Sequence, residues 1–232
     1  MLAIISAIGY SIMPILAVYV YKYDISTFTL LFIRFFISSI ILFIYVRFKY
    51  KNSVIRKKDM LIFFLLGGVL YTAQAVLHFS SVKYVSPSLA ILLLFTYPIF
   101  VCILSSVINN EKFNKKNWFS IIISFLGLVL VLGDKFEEIN LYGVILSVGA
   151  AIVYSVYTVL GDRAVKKQLP IVTCTYTVLF ATVSIFIIGL FTQNINFEIN
   201  IEAVPAILGI VFLSTVIADF AFFQCIRVYR LN

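Results

Sequence analysis

The sequence predicts an all-α polytopic membrane protein of about eight transmembrane helices, arranged as an inverted five-helix repeat whose second copy is incomplete. Three observations predict it: eight long apolar stretches, a strict alternation of charge in the connections between them, and a weak similarity between the two parts of the chain. Hydrophobic residues make up 62% of the chain and charged residues 12%, which leaves too little polar surface to enclose a water-soluble core. Backbone polar groups in hydrocarbon must be paired within the protein, and the alternating pattern of roughly ten residues per barrel strand is missing, so the stretches read as helices.

The first stretch, 2–21, begins at the initiator Met without a charged leader region and contains Pro14; it is expected to be retained rather than cleaved. The second and third cover 27–46 and 60–80, the fourth 87–107, and the fifth, 117–132, is the shortest. The sixth, seventh and eighth cover 141–160, 169–192 and 204–225. Most approach the ~20 residues that a bilayer crossing needs. Pro14 and Pro98 are expected to free carbonyls and kink their helices, whereas Pro205 marks a helix start. The longest connection, 47–59, is too short for a folded domain, so whatever the chain does must be built inside the bundle.

Charge sets the expected orientation. The second, fourth and sixth connections and the C-terminal end hold Arg47, Lys49, Lys51, Arg56, Lys57, Lys58, Lys112, Lys115, Lys116, Arg163, Lys166, Lys167, Arg227 and Arg230. By the positive-inside rule these face the cytoplasm, and both the N-terminus and the C-terminal end are cytoplasmic in a cell (plasma or inner) membrane. The odd-numbered connections hold Lys22, Lys83 and Lys135 against Asp24, Asp134, Glu137, Glu138, Glu198 and Glu202. The net charge of +8 therefore reports orientation against anionic lipid, and no nucleic-acid partner is expected. Cys102, Cys174 and Cys225 all fall in spans, odd in number and without paired spacing, and are expected to be packing residues.

The internal similarity aligns Leu77-His78-Phe79-Ser80-Ser81-Val82-Lys83-Tyr84 with Ala221-Phe222-Phe223-Gln224-Cys225-Ile226-Arg227-Val228, and the first span around Gly9 with the sixth around Gly149. Its period is five helices, so the second copy is upside down, with Lys83 outside and Arg227 inside. The predicted organisation is a first repeat over 1–133 and a second over 141–232 that stops after its third helix. Inverted repeats that rock about a central site are a common architecture of secondary transporters.

Ionisable groups in hydrocarbon cost several kcal/mol and point to a site or a structural pair. Arg34, about 10 Å into the second span at 1.5 Å per residue, is either an anchor to head groups or carbonyls or a contact for an anion in a cavity. Asp219, about six residues from the inner end of the eighth span, is a candidate for a cationic substrate group or a coupling proton, because desolvation raises a carboxyl pKa. His78, the single histidine, shares a helix face with Gln74 and Tyr71; these form either a polar seam between helices or a cavity wall. Tyr97 and Tyr154 are further pathway candidates, with Tyr10, Tyr157 and Tyr176 behind them, and Pro98 a candidate hinge. Gly67-Gly68 and Gly149-Ala150-Ala151 permit close helix approach. No metal site is expected from one histidine, and no cofactor. The His-Glu-x-x-His, Gly-x-Ser-x-Gly and phosphate-loop patterns do not occur, so neither an enzyme nor a nucleotide-driven pump is expected.

At the fourth and fifth spans, Ser86-Pro87-Ser88-Leu89-Ala90-Ile91-Leu92-Leu93-Leu94, Tyr97-Pro98-Ile99-Phe100, Asn110-Glu111-Lys112-Phe113 and Gly127-Leu128-Val129-Leu130-Val131 resemble the signature of the EamA-type branch of the drug/metabolite transporter superfamily. Arg34 and Lys83 also fall where that family commonly has basic residues. The resemblance implies ten spans in two inverted five-helix repeats and secondary transport of a small-molecule substrate. This chain stops where the first copy reaches Tyr84, so counterparts of spans four and five are missing. A fragment or truncated frame is the expectation, a natural eight-span form the other reading. The alternative function is a non-transporting membrane interaction or assembly protein, which could act as a homodimer.

Overall fold

A computed structural model describes residues 2–50, 57–109, 140–165 and 169–218, with the isolated positions 119, 122, 123 and 126. The described residues are helical apart from short turns and the non-helical segment 194–200. In chain order they form α1 (Leu2–Tyr21), α2 (Thr27–Lys49), α3 (Lys57–Phe63), α4 (Thr72–Ser81), α5 (Pro87–Leu94), α6 (Tyr97–Asn109), α7 (Leu141–Val165), α8 (Pro170–Phe191) and α9 (Val204–Val211). Two π-helical segments interrupt this pattern: π1 (Phe64–Tyr71) joins α3 to α4, and π2 (Phe212–Ile217) follows α9. Five helical runs are long and apolar enough to cross a membrane, namely Thr27–Lys49, Asp59–Ser81, Pro87–Ser106, Leu141–Asp162 and Pro170–Phe191; Ile8–Tyr21 and Ile201–Ile217 are shorter apolar helices. The fifth predicted span and the inner part of the eighth, with Asp219, Cys225 and Arg227, lie outside the described residues.

Helix starts follow from local chemistry. Ser26 caps α2 by accepting the Thr29 N–H at 3.0 Å. Ser86 caps α5 in the same way through the Leu89 N–H, with Pro87 in the first turn. Pro170 and Pro205 occupy first-turn positions of α8 and α9, where the missing N–H has no partner to lose. Pro14 lies inside α1. Pro98 behaves differently from the kink expected of it. The helix stops at Leu94, passes through Phe95 and Thr96, and restarts at Tyr97, which places Pro98 in the first turn of α6 rather than in a helix interior.

By compactness the chain separates into two units, one drawn from Met1–Thr72 and Ala164–Asn232, the other from Ala73–Arg163. In the first unit α2 packs along α8, α8 also packs on π1, and α1 and α2 pack on α9 and π2. Leu30, Leu31, Phe35, Val172, Val178, Ile185, Ile210 and Val211 are fully or nearly fully buried there. Elements from both ends of the sequence thus share one core. Two glycines set its spacing: Gly67 lies against the Thr177 backbone, and a Cβ on Gly9 would come within 2.6 Å of the Leu213 carbonyl oxygen. After α8, Gln193 takes a positive φ of 52° and Asn194 returns its N–H to the Gly189 carbonyl at 3.0 Å, closing the helix in a Schellman-type turn. The chain then folds back over the start of α2. Ser26 Oγ donates to the Asn194 carbonyl, and Thr29 Oγ1 both donates to the Asn196 carbonyl at 3.1 Å and accepts its N–H at 3.0 Å. Since Ser26 is cap and tether together, Ser26→Ala is expected to cost about 1–2 kcal/mol, read as a lowered melting midpoint. An unchanged midpoint would mean that neither bond matters.

In the second unit α7 packs on α4 and the turn that follows it. Gly143 sits against Val85 and Tyr84, Gly149 faces Leu77, and Tyr84 meets Tyr142 edge to face at 4.9 Å. Lys83 lies in that turn, outside the membrane-spanning segments, and partial burial pushes the pKa of its ammonium down.

Candidate functional site

Arg34 is the most buried charged group among the described residues, 3% exposed about two turns into α2. Its Nε donates to Thr215 Oγ1 of π2 at 2.8 Å, and its Nη2 reaches Tyr71 Oη of π1 at 3.5 Å. Both π segments therefore place a hydroxyl at the same guanidinium. A π turn displaces the backbone ladder by one residue and releases a carbonyl from its usual donor. Here side-chain hydroxyls answer that need: Thr72 Oγ1 donates to the Gly67 carbonyl at 2.8 Å, and Thr215 Oγ1 to the Ile210 carbonyl at 3.0 Å. Thr215 thus accepts from a cation with one side of its hydroxyl while donating to backbone with the other. The buried hydroxyls of Ser38, one turn beyond Arg34, and Ser214, next to Thr215, have no hydrogen-bond partner among the described residues. Buried polar atoms in that state are normally met by water or ligand.

Because Thr215 serves both bonds, Thr215→Val is expected to cost about 1.5–3 kcal/mol, the range for a hydrogen bond to a charged group. Thr215→Ser, which keeps the oxygen, should lose less than about 1 kcal/mol. Equal melting midpoints for the two variants would sink this account.

Gln74, His78, Tyr97, Pro98 and Tyr154 lie in the second unit. Gln74 and His78, on α4, are 8% and 2% exposed, so both sit in protein rather than at a surface. The His78 carbonyl accepts from Ser81 Oγ at 2.7 Å, and its ring meets Phe79 edge to face. Tyr97, opening α6, and Tyr154, in the middle of α7, come together edge to face with ring centroids 4.7 Å apart. Tyr154 in turn stacks on Tyr157 at 5.8 Å. Tyr176, by contrast, stacks on Phe63 in the first unit as a packing residue. Asp219 lies outside the described residues. Among those residues no group of three or more His, Cys, Asp or Glu side chains could hold a metal ion.

Sequence reasoning missed Thr215. A signal was present: the alignment of 77–84 with 221–228 has an offset of 144, and Tyr71 plus 144 is 215. That offset pairs the two residues that meet Arg34.

The model of the EamA-like transporter family matches residues 1–133 and 141–229. An uncharacterized transporter from Bacillus subtilis, YyaM, is 30% identical over 62% of this chain and 48% of its own. A second from the same organism, YdfC, is 32% identical over 71% of this chain and 54% of its own. A protein of Rickettsia bellii called an S-adenosylmethionine uptake transporter is 27% identical over 68% of this chain and 53% of its own. The chain spans about half the length of these curated relatives. One solved crystal structure, 14% identical, superposes with a TM-score of 0.70 over 96% of this chain and 76% of its own, and so shares its fold.

Proposed function

Since this chain belongs to the EamA-like transporter family and is a multi-pass membrane protein, we propose that it is a secondary carrier, moving a small organic metabolite across the cell membrane by alternating access. The observation that carries this reading is the buried Arg34 held between two π-helical segments. Cations are expensive at that depth and persist where a pathway uses them, and π turns mark functional places in helices.

The inverted repeat gives the motion a geometry. Spans three and eight are counterparts in it, π1 and π2 lie in those spans, and their repeat-equivalent residues Tyr71 and Thr215 approach one guanidinium. Close helix contacts pair in the same manner: Gly9 of the first span rests on Leu213 of the eighth, and Gly149 of the sixth faces Leu77 of the third. Eight spans, two inverted halves over 1–133 and 141–232, and cytoplasmic ends are parts of this proposal. Arg34 is then the group whose hydroxyl partners change as the halves move. Gln74, His78, Tyr97, Pro98 and Tyr154 line the route of the substrate. The name of the Rickettsia relative sets the scale of solute expected here, a metabolite of nucleoside size.

Asp219 is assigned the coupling proton. Asp219→Asn is expected to remove the pH dependence of flux while membrane levels stay normal; a retained pH dependence would rule the assignment out. The direct test is saturable uptake by proteoliposomes holding the full chain, using a labelled panel of amino acids, nucleosides and S-adenosylmethionine. Uptake no greater than in protein-free vesicles for every solute would overturn the carrier reading.

A further inference from the structure

Two buried hydroxyls stand side by side in π2, and they are used differently. Thr215 Oγ1 accepts from Arg34 Nε at 2.8 Å and donates to the Ile210 carbonyl at 3.0 Å, five residues back. Ser214, the residue before it, is 0% exposed, as Thr215 is, and its hydroxyl has no hydrogen-bond partner among the described residues. The spacing of five reflects the extra residue that a π turn inserts into the ladder. Thr158, Thr175 and Thr182 make the same kind of back-bond at the regular α spacing of four, each at 2.8 Å, to the carbonyls of Tyr154, Ile171 and Val178.

Because of the inserted residue, each residue beyond the π turn lags one place behind a continuous α-helix that starts at α9. If the turn moved C-terminally past Val216 while α9 stayed fixed, residues 213–216 would each advance into the place of the next. That is a step of about 1.5 Å along the axis and about 100° around it. Ser214 would then occupy the place that Thr215 holds. Its hydroxyl is four residues from Ile210, the regular back-bond spacing, so the same carbonyl and the same guanidinium would meet the same chemical group. Thr215 would pass to the half-buried place of Val216, four residues from the Val211 carbonyl.

One neighbour controls such a step. The Leu213 carbonyl lies against Gly9 of α1, and the Leu213 side chain is 46% exposed. The step would turn that side chain into the buried place of Ser214, and a close-packed interior does not admit a leucine where a serine sat unless a neighbouring element yields. α1 packs on π2 within the first unit and is that element.

We propose that Ser214 is the second partner of Arg34, exchanged for Thr215 by a one-residue slip of π2 as α1 moves away. For its purpose this rests on the carrier reading, in which the two partners mark two states of the cycle, but the exchange can be measured without transport.

The test is a double-mutant cycle on the melting midpoint of the purified full chain. Ser214→Ala alone is expected to leave the midpoint unchanged or raised, since it deletes a buried hydroxyl that bonds nothing in the observed register. Thr215→Val, close in shape, melts lower and hands Arg34 to Ser214; in that background Ser214→Ala should lower the midpoint by a further 2 °C or so at least. Ser38→Ala, which removes another buried hydroxyl without a partner, should act alike in both backgrounds. The slip itself is read by a nitroxide on Val216→Cys, with the three native cysteines replaced by alanine. Its collision rate with oxygen dissolved in the bilayer should rise about twofold or more in Thr215→Val, as residue 216 moves to the exposed place of Ile217, and stay at the starting value in Ser214→Ala. An equal effect of Ser214→Ala in both backgrounds would overturn the proposal. So would the expected cycle without the rise at 216, which would mean that Arg34 reaches Ser214 by moving its own side chain. Both signatures in a chain that carries no solute in proteoliposomes would overturn the carrier reading alone, and solute flux without them would overturn this exchange alone.

Discussion

Arg34→Leu is expected to reduce solute flux at least a hundredfold while leaving the melting midpoint unchanged or raised. The sign of the stability effect separates a working residue from an anchor. Insertion scales charge an arginine about 2.5–3.5 kcal/mol at the centre of a span and less at the depth of Arg34, two turns from the end, whereas leucine is favourable by a few tenths. Against that, the bonds to Thr215 and Tyr71 are worth about 1.5–3 kcal/mol for the strong one and less for the long one. Nor does the substitution orphan Thr215, whose hydroxyl still has the Ile210 carbonyl. The two sides roughly cancel, or favour leucine. A residue that merely anchored the fold would behave otherwise, with stability and flux falling together. Arg34→Lys keeps the charge but loses the planar fork of donors, and is expected to show an intermediate flux. Flux per folded molecule and a thermal melt on the same preparation decide it: normal flux per folded Arg34→Leu molecule would remove Arg34 from the working parts.

Gly67→Val is expected to prevent the first unit from assembling. A Cβ at Gly67 would overlap the carbonyl oxygen, carbonyl carbon and Cα of Thr177 on α8, all backbone atoms that have no rotamer to escape into. Gly67→Ala is the graded version. Alanine gains about 1 kcal/mol of helix propensity over glycine, but overpacking against a fixed backbone costs about 3 kcal/mol or more. The net loss of about 2 kcal/mol corresponds to a fall of roughly 4–8 °C in the melting midpoint of a protein this size. Gly161 provides the control. A Cβ there meets nothing within 4 Å, so Gly161→Ala should gain up to about 1 kcal/mol. Should Gly67→Ala prove as stable as Gly161→Ala, the close approach of π1 to α8 would be wrong.

The elements that could be read from the sequence are those fixed by local rules. Hydropathy and length placed the first, second, third, sixth and seventh spans within a few residues of the observed helices, and Pro205 marked a helix start correctly. Local rules could not supply π1, π2 or the break before Tyr97. A π turn is one residue of slip in a ladder, chosen by what the helix packs against, and the residues that choose it here are distant: Thr177 for Gly67, Arg34 for Thr215. Pro98 shows the same limit. The sequence marks that a helix is disturbed there, but whether proline kinks a continuous helix or opens a new one depends on where the Phe95 N–H and Thr96 N–H find acceptors. In the first unit Arg34 was recognisable as a cation out of place in hydrocarbon, and in the second Tyr97 and Tyr154 were singled out separately. Their partners were not, because a side-chain contact across the bundle leaves no local trace.

The tether between the start of α2 and the segment after α8 sets an order of events during synthesis. Asn194, which accepts from Ser26, is made 168 residues later, and Thr215, which accepts from Arg34, 181 residues later. At about 5–20 residues per second, Arg34 waits roughly 10–40 s in the nascent protein before Thr215 exists. For that interval the guanidinium must remain near water or lipid head groups, so α2 is expected to settle only when α8 and π2 arrive. The vulnerable period of this protein's life is therefore its birth, when a half-made bundle carries a cation that its remaining chain has yet to receive.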